Sequence, residues 1–312
     1  LLRPQPTGVT AAAWHLLESG QLGLGGDARI VTYGRRPPTP EQQARLPYAW
    51  DHHPLPSKAV HALCGSGIAS FDRLFGPADR LLLPNINITG QPRTPYDLVI
   101  HDLSFLVEPS WFSWKSRAWH WLARPKRLIL GAERLFAVSA WTKADLVERL
   151  GADPERITVV RLEARNDQRP RTERPLAGPY FLLLNGEDAR KNAEVARRAF
   201  AAFRERHPDW TCVLTGMREP AAEAGMKHLP YLAPAERERW LRHAAALLYP
   251  SWYEGFGLPC HEAARRGVPV LATGNGALAE TAPRGTVWLP PHKPHLWQQA
   301  MEDIARKTER TE

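Results

Sequence analysis

The sequence predicts an α/β protein of two domains, each with a parallel sheet and crossover helices. The chain has 312 residues, about twice the length of a typical domain. Short apolar runs of strand length alternate with helical stretches in both halves. A polar, proline-rich segment without apolar periodicity separates the halves at residues 163–178. We therefore expect one domain at residues 1–165 and a second at residues 175–312.

Five strands are predicted in the first half, where apolar runs are bounded by Gly, Pro or Asp. They lie at residues 28–33, 80–84, 96–102, 134–139 and 155–162. The helical stretches between them are residues 11–20, 116–133 and 142–151. The last helix is predicted to begin at Thr142 as N-cap, with Asp145 in the capping-box position, and to end at Gly151.

The second half repeats the alternation and contains four further predicted strands. These are residues 180–186, 210–216, 246–251 and 268–274, and the run VWLP follows at residues 287–290. Helices are predicted at residues 192–207, 235–244, 260–267, 278–282 and from about residue 295 onward. Ligands bind at the carboxyl ends of the strands in open α/β sheets, so we expect a ligand site in the loops that follow these strands.

Composition and charge favour an anionic partner and a cytoplasmic location. The formal net charge is +8, which is typical of proteins that bind nucleic acid, a phosphate-bearing substrate or a membrane surface. Lys and Arg are scattered, however, and we expect no nucleic-acid partner. Cys64, Cys212 and Cys260 lack metal-ligand spacing and are expected to be reduced thiols. We find no apolar run of membrane-spanning length and no signal-peptide pattern.

Two glutamates flank a Gly-Phe-Gly loop in the second half. Glu254 and Glu262 are separated by seven residues, and Gly255 and Gly257 allow the backbone to approach a ligand closely. The N–H groups at the start of the following helix can bind a phosphate. Glu262 can accept hydrogen bonds from a ribose and Glu254 from a second sugar. The alternative is two surface glutamates beside a glycine-rich turn.

A pair of cations lies in the first strand-to-helix turn of the second half. Arg190 and Lys191 follow the strand, and Asn192 lies near the start of the helix. Two cations in such a loop suit a diphosphate. The alternative is a solvated basic turn.

Together these segments resemble the retaining glycosyltransferases of family 4. The segment EGFGLPCHEA from Glu254, with VPVLAT and Glu280, is similar to that family's motif of two glutamates separated by seven residues. The resemblance covers roughly residues 7–300 and includes TGV, PNIN, HDLSFLVEPSWFS and the segment 135–160. Within the family, the bacterial mannosyltransferase branch is the most similar. The resemblance implies the GT-B architecture, in which two Rossmann-like domains face each other across a cleft.

The resemblance also implies roles for individual residues. Lys191, with Arg190, is expected to bind the donor diphosphate. Glu254 is expected to contact the donor sugar and Glu262 the ribose. The remaining implied contacts come from the backbone amides of Phe256, Gly257 and Leu258, and from His101, which is expected to face the reacting sugar from the first domain. His101, Glu254 and Lys191 are therefore the expected catalytic residues.

The activity implied is transfer of a sugar, with retention, from a GDP- or UDP-sugar to an acceptor hydroxyl of a glycan or a lipid-linked acceptor. Fixed cations and helix-end amides stabilise the departing diphosphate. No metal, further cofactor or protein nucleophile is expected, and the departing phosphate takes the acceptor proton. Two alternatives stay open: a sugar-nucleotide epimerase and a non-catalytic sugar-nucleotide-binding subunit. A phosphorylase would need a longer C-terminal domain.

The sequence departs from the family pattern at three points. The strand that normally precedes the glycine loop and the C-terminal helix that crosses back have no counterpart between Leu1 and Glu312. Asn185-Gly186 replaces the usual Gly-Arg, so Arg190 is expected to substitute for the absent cation. The first-strand and Asn185-Gly186 departures favour a binding subunit, whereas intact Glu254, Glu262 and Lys191 favour an enzyme.

An aromatic and basic stretch at residues 111–127 has two interpretations. Trp and Tyr with Lys and Arg are typical of a membrane interface, which predicts a peripheral contact with the inner face of the membrane. Alternatively, the stretch forms an amphipathic helix whose four tryptophans pack in the protein core, and only the cations are exposed.

Overall fold

The computed structural model describes residues 8–163, 173–218 and 223–310. The chain divides into two compact units, Leu1–Leu162 and Glu163–Glu312. Most of the predicted linker, residues 164–172, lies outside the described residues, as does Thr7 of the TGV segment. Within the described ranges, no helix is long and apolar enough to cross a bilayer.

The first unit contains two parallel sheets. Strands β1 (Arg29–Tyr33) and β2 (Ala49–His53) pair with each other. The larger sheet has the order β3-β4-β5-β6, formed by Leu81–Leu83, Tyr96–Ile100, Arg134–Ala137 and Ile157–Val159. Every residue of β4 is buried, as expected for a parallel strand with both faces covered.

Eight helices are described in the first unit, and most are short. They are α1 (Gly8–Glu18), α2 (Pro40–Ala44), α3 (Ser57–Gly65), α4 (Phe71–Phe75), α5 (Ser104–Val107), α6 (Trp114–Ala123), α7 (Pro125–Leu130) and α8 (Ala140–Leu150). Single 3-10 turns precede α6 and β6 at residues 109–111 and 154–156.

Two predictions for these helices are wrong. The predicted helix 116–133 is two helices, because Arg124 has a left-handed φ of 48° and Pro125 cannot continue the hydrogen-bond ladder of α6. Helix α8 is capped by Ser139, whose hydroxyl accepts from the Thr142 amide at 3.0 Å, so Thr142 lies in the first turn. Its predicted end at Gly151 is confirmed, with a φ of 65°.

The second unit is one six-stranded parallel sheet covered by helices. In chain order its strands are β7 (Tyr180–Leu183), β8 (Thr211–Leu214), β9 (Met226–His228), β10 (Ala246–Tyr249), β11 (Val270–Ala272) and β12 (Val287–Trp288). Its helices are α9 (Ala193–Arg204), α10 (Pro234–Arg242), α11 (Leu258–Ala264), α12 (Leu278–Thr281) and α13 (Pro294–Glu309).

The strand order in this sheet is β12-β11-β10-β7-β8-β9. The chain therefore builds outward from β7 in one direction and then returns to add β10 on its other side. Such a reversal opens a crevice beyond the carboxyl ends of the two central strands. In this unit, the loops that follow β7 and β10 border that crevice.

Side chains from the two sheet faces form separate apolar clusters. Phe181 and Phe200 pack with Trp297 on the face covered by α9 and α13. Tyr180 and Trp240 belong to the opposite cluster, beneath α10 and α11. Because both faces are covered, the sheet is a rigid support for the loops at its carboxyl edge.

Candidate functional site

The loops after β7 and β10 bring Lys191 and Glu254 together, although 63 residues separate them in the chain. The Lys191 ammonium donates to Glu254 Oε1 at 2.5 Å and to the Tyr249 hydroxyl at 2.9 Å. It also lies 4.5 Å from the centre of the Tyr249 ring. Lys191 is 8% exposed and Glu254 9% exposed, so this is a buried ion pair.

This arrangement fixes the ammonium group at the edge of the sheet. A lysine has three N–H donors, so the two hydrogen bonds leave one for an incoming anion. Burial, followed by the charge of Glu254, raises the pKa of Tyr249 well above its usual range, and its hydroxyl stays protonated. Buried ion pairs contribute less to stability than to fixed geometry, which suits a binding site.

Arg190 lies in the same turn, but its guanidinium is already paired. It binds Asp188 through contacts of 2.8 Å and 3.2 Å, and Asp188 also accepts from the Arg190 amide at 3.0 Å. Burial alone would raise the pKa of Asp188, but the hydrogen bonds and charge of Arg190 lower it. The Trp252 amide donates to the Arg190 carbonyl at 2.8 Å, which ties the two loops together.

The Gly-Phe-Gly loop is built around glycine conformations. Gly257 caps α11 with a φ of 87°, and a methyl group there would lie 2.4 Å from Leu278 Cδ2. Among the described residues, no acceptor is found for the amides of Phe256, Gly257 and Leu258. Three unpaired donors beside the buried Lys191–Glu254 pair can bind an anion.

Glu262 lies in α11, where its carboxylate is held by Arg237 of α10. Only Oε2 is used in that pair, and the carboxylate is about one-quarter exposed. A carboxylate has about four lone-pair sites, so Oε1 can still accept from a ligand hydroxyl. The sequence prediction for Glu262 stays a prediction, but the structure adds Arg237 as the residue that orients it.

A cavity of about 480 Å³ opens beside the Arg190–Lys191 turn. Its walls include Gly186, Asp188, Asn192, Met217 and Trp252, whereas Lys191, Glu254 and Glu262 lie outside its lining. This volume is in the range of small-molecule pockets. Trp252 is not among the residues predicted from the sequence, although it lies only three residues before Gly255 of the Gly-Phe-Gly loop.

His101 lies in the first unit, immediately after β4. Its Nε2 contacts the Pro84 carbonyl at 2.9 Å, and a carbonyl only accepts, so Nε2 carries a proton. Burial lowers the pKa of His101, which leaves the ring neutral near pH 7 with Nδ1 as an acceptor. Its predicted position opposite the donor sugar stays a prediction.

The described residues contain no cluster of metal ligands. Among the residues that the structure describes, no three His, Cys, Asp or Glu side chains are placed to hold one ion. Metal-independent chemistry stays a prediction from the family resemblance.

The family model concerns the second unit, and the curated relatives match more than half of the chain. Residues 180–307 match the family model "Glycosyl transferases group 1". A D-inositol 3-phosphate glycosyltransferase of Paenarthrobacter aurescens is 31% identical over 206 residues, which is 57% of this chain and 50% of that protein. An O-antigen chain mannosyltransferase B of Escherichia coli is 25% identical, over 58% of this chain and 53% of that protein. The chain thus spans about half the length of these curated relatives.

Solved structures extend the comparison to both units. The crystal structure of a glycosyltransferase involved in lipopolysaccharide biosynthesis has a TM-score of 0.62 and 16% identity. It covers 96% of this chain, and this chain covers 87% of it. At that identity the likeness concerns the fold, and the predicted α/β class with two Rossmann-like domains is confirmed. By the family model over its second unit and by the partial match to the curated relatives, the chain is similar to group 1 glycosyltransferases.

Proposed function

We propose that the protein is a retaining glycosyltransferase of the family 4 type. It would transfer a sugar from a GDP- or UDP-sugar to an acceptor hydroxyl, in the synthesis of a bacterial surface polysaccharide or glycolipid. The observation that carries this proposal is the buried Lys191–Glu254 pair at the crevice between β7 and β10. A lysine with one unused donor, next to three unpaired amides, is suited to a diphosphate.

Departure of the diphosphate creates negative charge, which Lys191 and the amides of Phe256, Gly257 and Leu258 would stabilise. These groups are fixed before the reaction, so little reorganisation accompanies the charge development. The bond between the anomeric carbon and the diphosphate oxygen breaks. A bond from that carbon to the acceptor oxygen forms on the same face, and the acceptor proton passes to the departing phosphate. No protein nucleophile or metal takes part in this proposal.

Glu254 and Glu262 would act on different parts of the donor. Glu254 uses Oε1 for Lys191 and would accept from a hydroxyl of the transferred sugar through its second oxygen. Glu262, oriented by Arg237, would accept from the ribose hydroxyls. Arg190 would leave Asp188 to reach the phosphates, or would act by holding the turn in place. His101 would accept from the sugar through Nδ1.

A panel of sugar nucleotides tests the reaction class. Incubation with GDP- and UDP-sugars, with and without a glycan or lipid-linked acceptor, should release nucleoside diphosphate and form a product with a retained anomeric configuration. Lys191→Ala serves as the variant with weakened diphosphate binding. Interconversion of the donor at a sugar carbon would support an epimerase instead. Donor binding without release of nucleoside diphosphate would support a non-catalytic subunit.

The two glutamates can be tested separately by titration calorimetry and turnover. Glu262→Ala should weaken binding of the bare nucleoside diphosphate by about 1 to 3 kcal/mol. Glu254→Gln keeps a hydrogen-bonding oxygen for Lys191 and should preserve that affinity while turnover falls. Gln is preferable to Ala there, because Ala would leave Lys191 buried without its partner. A larger loss of bare nucleotide affinity in Glu254→Gln than in Glu262→Ala would contradict the assigned roles.

The acceptor is proposed to be lipid-linked, so the enzyme would work at the cytoplasmic face of a membrane. The first unit has an exposed surface that suits such a location, around helix α6.

A further inference from the structure

Two tryptophans on α6 are largely exposed to solvent. Trp114 is 69% exposed and Trp121 is 75% exposed. They are seven residues apart, so they share one face of the helix and lie about 10 Å apart along its axis. Transfer of an indole ring out of water is favourable in free energy. Two such rings on one face therefore indicate a surface that binds a partner.

The inward side of α6 uses other residues. His120 stacks on Phe105 at 5.1 Å and meets Phe112 edge-on at the same distance. Trp119 packs partly against a buried cluster that includes Ala123. The prediction that all four tryptophans of the stretch pack in the core is therefore wrong for Trp114 and Trp121.

The exposed apolar area continues beyond α6. A methyl group at Gly65, the last residue of α3, would lie 3.5 Å from Leu122 Cδ2, so the two helices are neighbours there. Leu122 is itself exposed, and Ile68, which follows three residues after Gly65, is 70% exposed. We call Ile68, Trp114, Trp121 and Leu122 the apolar rim.

The segment that contains α6 and α7 carries charge of one sign. Residues 109–132 contain no Asp or Glu, and five exposed cations lie among them: Lys115, Arg117, Arg124, Lys126 and Arg127. None of the five forms an ion pair with any residue in the described ranges. By contrast, Arg80 and Arg134 at the edge of the neighbouring sheet are paired with Asp97.

We infer that the apolar rim and these five cations dock the first unit on an anionic lipid bilayer. Tryptophan rings sit favourably at the boundary between headgroups and acyl chains, and cations are attracted to anionic headgroups. The tryptophans are largely exposed on the surface of a helix, so they suit insertion into a deformable surface better than a protein partner of fixed shape. The inference extends the proposed lipid-linked acceptor, but the contact itself depends only on the first unit.

Co-sedimentation with vesicles tests the inference directly. The full chain should sediment with vesicles of phosphatidylcholine containing phosphatidylglycerol and much less with pure phosphatidylcholine. Each cation near an anionic surface strengthens binding about fivefold. Lys115→Gln combined with Arg117→Gln should therefore lower partitioning about 25-fold. Salt should also weaken binding, because the attraction is screened over about 8 Å at physiological ionic strength.

Matched variants separate this surface from general basicity. Arg35→Gln with Arg36→Gln removes the same charge from another exposed site of the first unit and should partition like the wild type. Trp114→Ala with Trp121→Ala should lose binding at low and at high salt, whereas Trp288→Ala, in the second unit, should not. The inference would be overturned if the Lys115/Arg117 and the Arg35/Arg36 substitutions had equal effects on binding. Equal binding of the wild type to both vesicle types would also overturn it. Binding to RNA or to an acidic protein without binding to anionic vesicles would also overturn it.

Release of nucleoside diphosphate from a soluble donor separates this inference from the proposed function. None of the substituted residues belongs to the donor site, so all these variants should keep the wild-type rate in solution. An active enzyme that ignores vesicles would contradict the docking surface alone. An inactive protein that binds anionic vesicles would contradict the proposed function alone. Circular dichroism checks that each variant is folded.

Discussion

At the scale of single residues, the site depends on three side chains that hold one another. Lys191 contacts both Glu254 and Tyr249, and all three are buried. Lys191 and Glu254 could be predicted from their motifs, but their contact could not, because 63 residues separate them. Tyr249 was missed because in sequence it is only the last residue of an apolar strand. No local pattern shows that its hydroxyl meets a charged group.

Tyr249→Phe should weaken binding of the nucleoside diphosphate about fivefold. The phenyl ring keeps its place beside the ammonium group, but Lys191 loses one hydrogen bond of a kind that contributes about 1 kcal/mol. Titration calorimetry measures the change. Tyr180→Phe is the matched control, since that hydroxyl donates to the buried Trp240 carbonyl at 2.7 Å. The control should lose stability and keep its affinity, and equal affinities in all three proteins would contradict a positioning role for Tyr249.

At the scale of elements, the short helix α11 and the loop before it define the anion-binding edge. Gly257 turns the chain into the helix, and Gly276 passes so close to Glu254 that a methyl group would lie 2.6 Å from its carbonyl. A glycine-rich turn was predicted here from sequence, including the start of a helix. The tightness of the turn depends on Leu278, which comes from a later element.

Gly257→Ala should destabilise the second unit and weaken nucleotide binding together. The substitution combines a left-handed φ of 87° with a steric clash against Leu278. Gly267→Ala, at a φ of 73° just after α11, provides the control because a methyl group there meets open space. The control should cost about 1 kcal/mol of backbone strain and retain nucleotide affinity. Urea unfolding measures the stability of the two variants and calorimetry their nucleotide affinity. Equal losses of both quantities in the two variants would mean that backbone strain alone, and not the contact with Leu278, causes them.

Elements in the first unit show where sequence patterns are insufficient. Strand β2 was not predicted because AWDHH has no apolar run, yet it pairs in register with β1. The helix predicted at residues 116–133 breaks at Arg124, where a proline follows and the chain changes direction. The pairing of β2 depends on a tertiary partner, whereas the break at Arg124 is local, because Pro125 cannot continue the helix. Strands β4, β7 and β10 are apolar enough to be recognised alone.

At the scale of the whole molecule, burial makes both units sensitive to acid. It lowers the pKa of His101 and His120 in the first unit and of His261 in the second. Each histidine then binds fewer protons in the folded than in the unfolded chain as the pH falls through about 6.5. The free energy of unfolding should therefore decrease below that pH. Acidic conditions favour the state in which these rings are solvated.

His120→Phe should flatten this dependence for the first unit. Phenylalanine can keep the stacking on Phe105 but cannot take up a proton. We expect the thermal midpoint of the wild type to fall between pH 7.5 and 5.5, and that of the variant to fall less. Circular dichroism at several pH values gives both profiles. Parallel profiles would show that protonation of His120 does not contribute.

The strand order of the second unit has a consequence for how the protein is made. Strand β10 can pair with β7 only after β8 and β9 have been synthesised. The Lys191–Glu254 ion pair therefore forms only when most of the sheet is present. Contacts between distant parts of a chain form late, because loop closure is entropically costly. A ligand that needs both residues can therefore bind only after β10 has joined the sheet. During synthesis, the Lys191–Glu254 pair can form only once four of the six described strands of this sheet have been made.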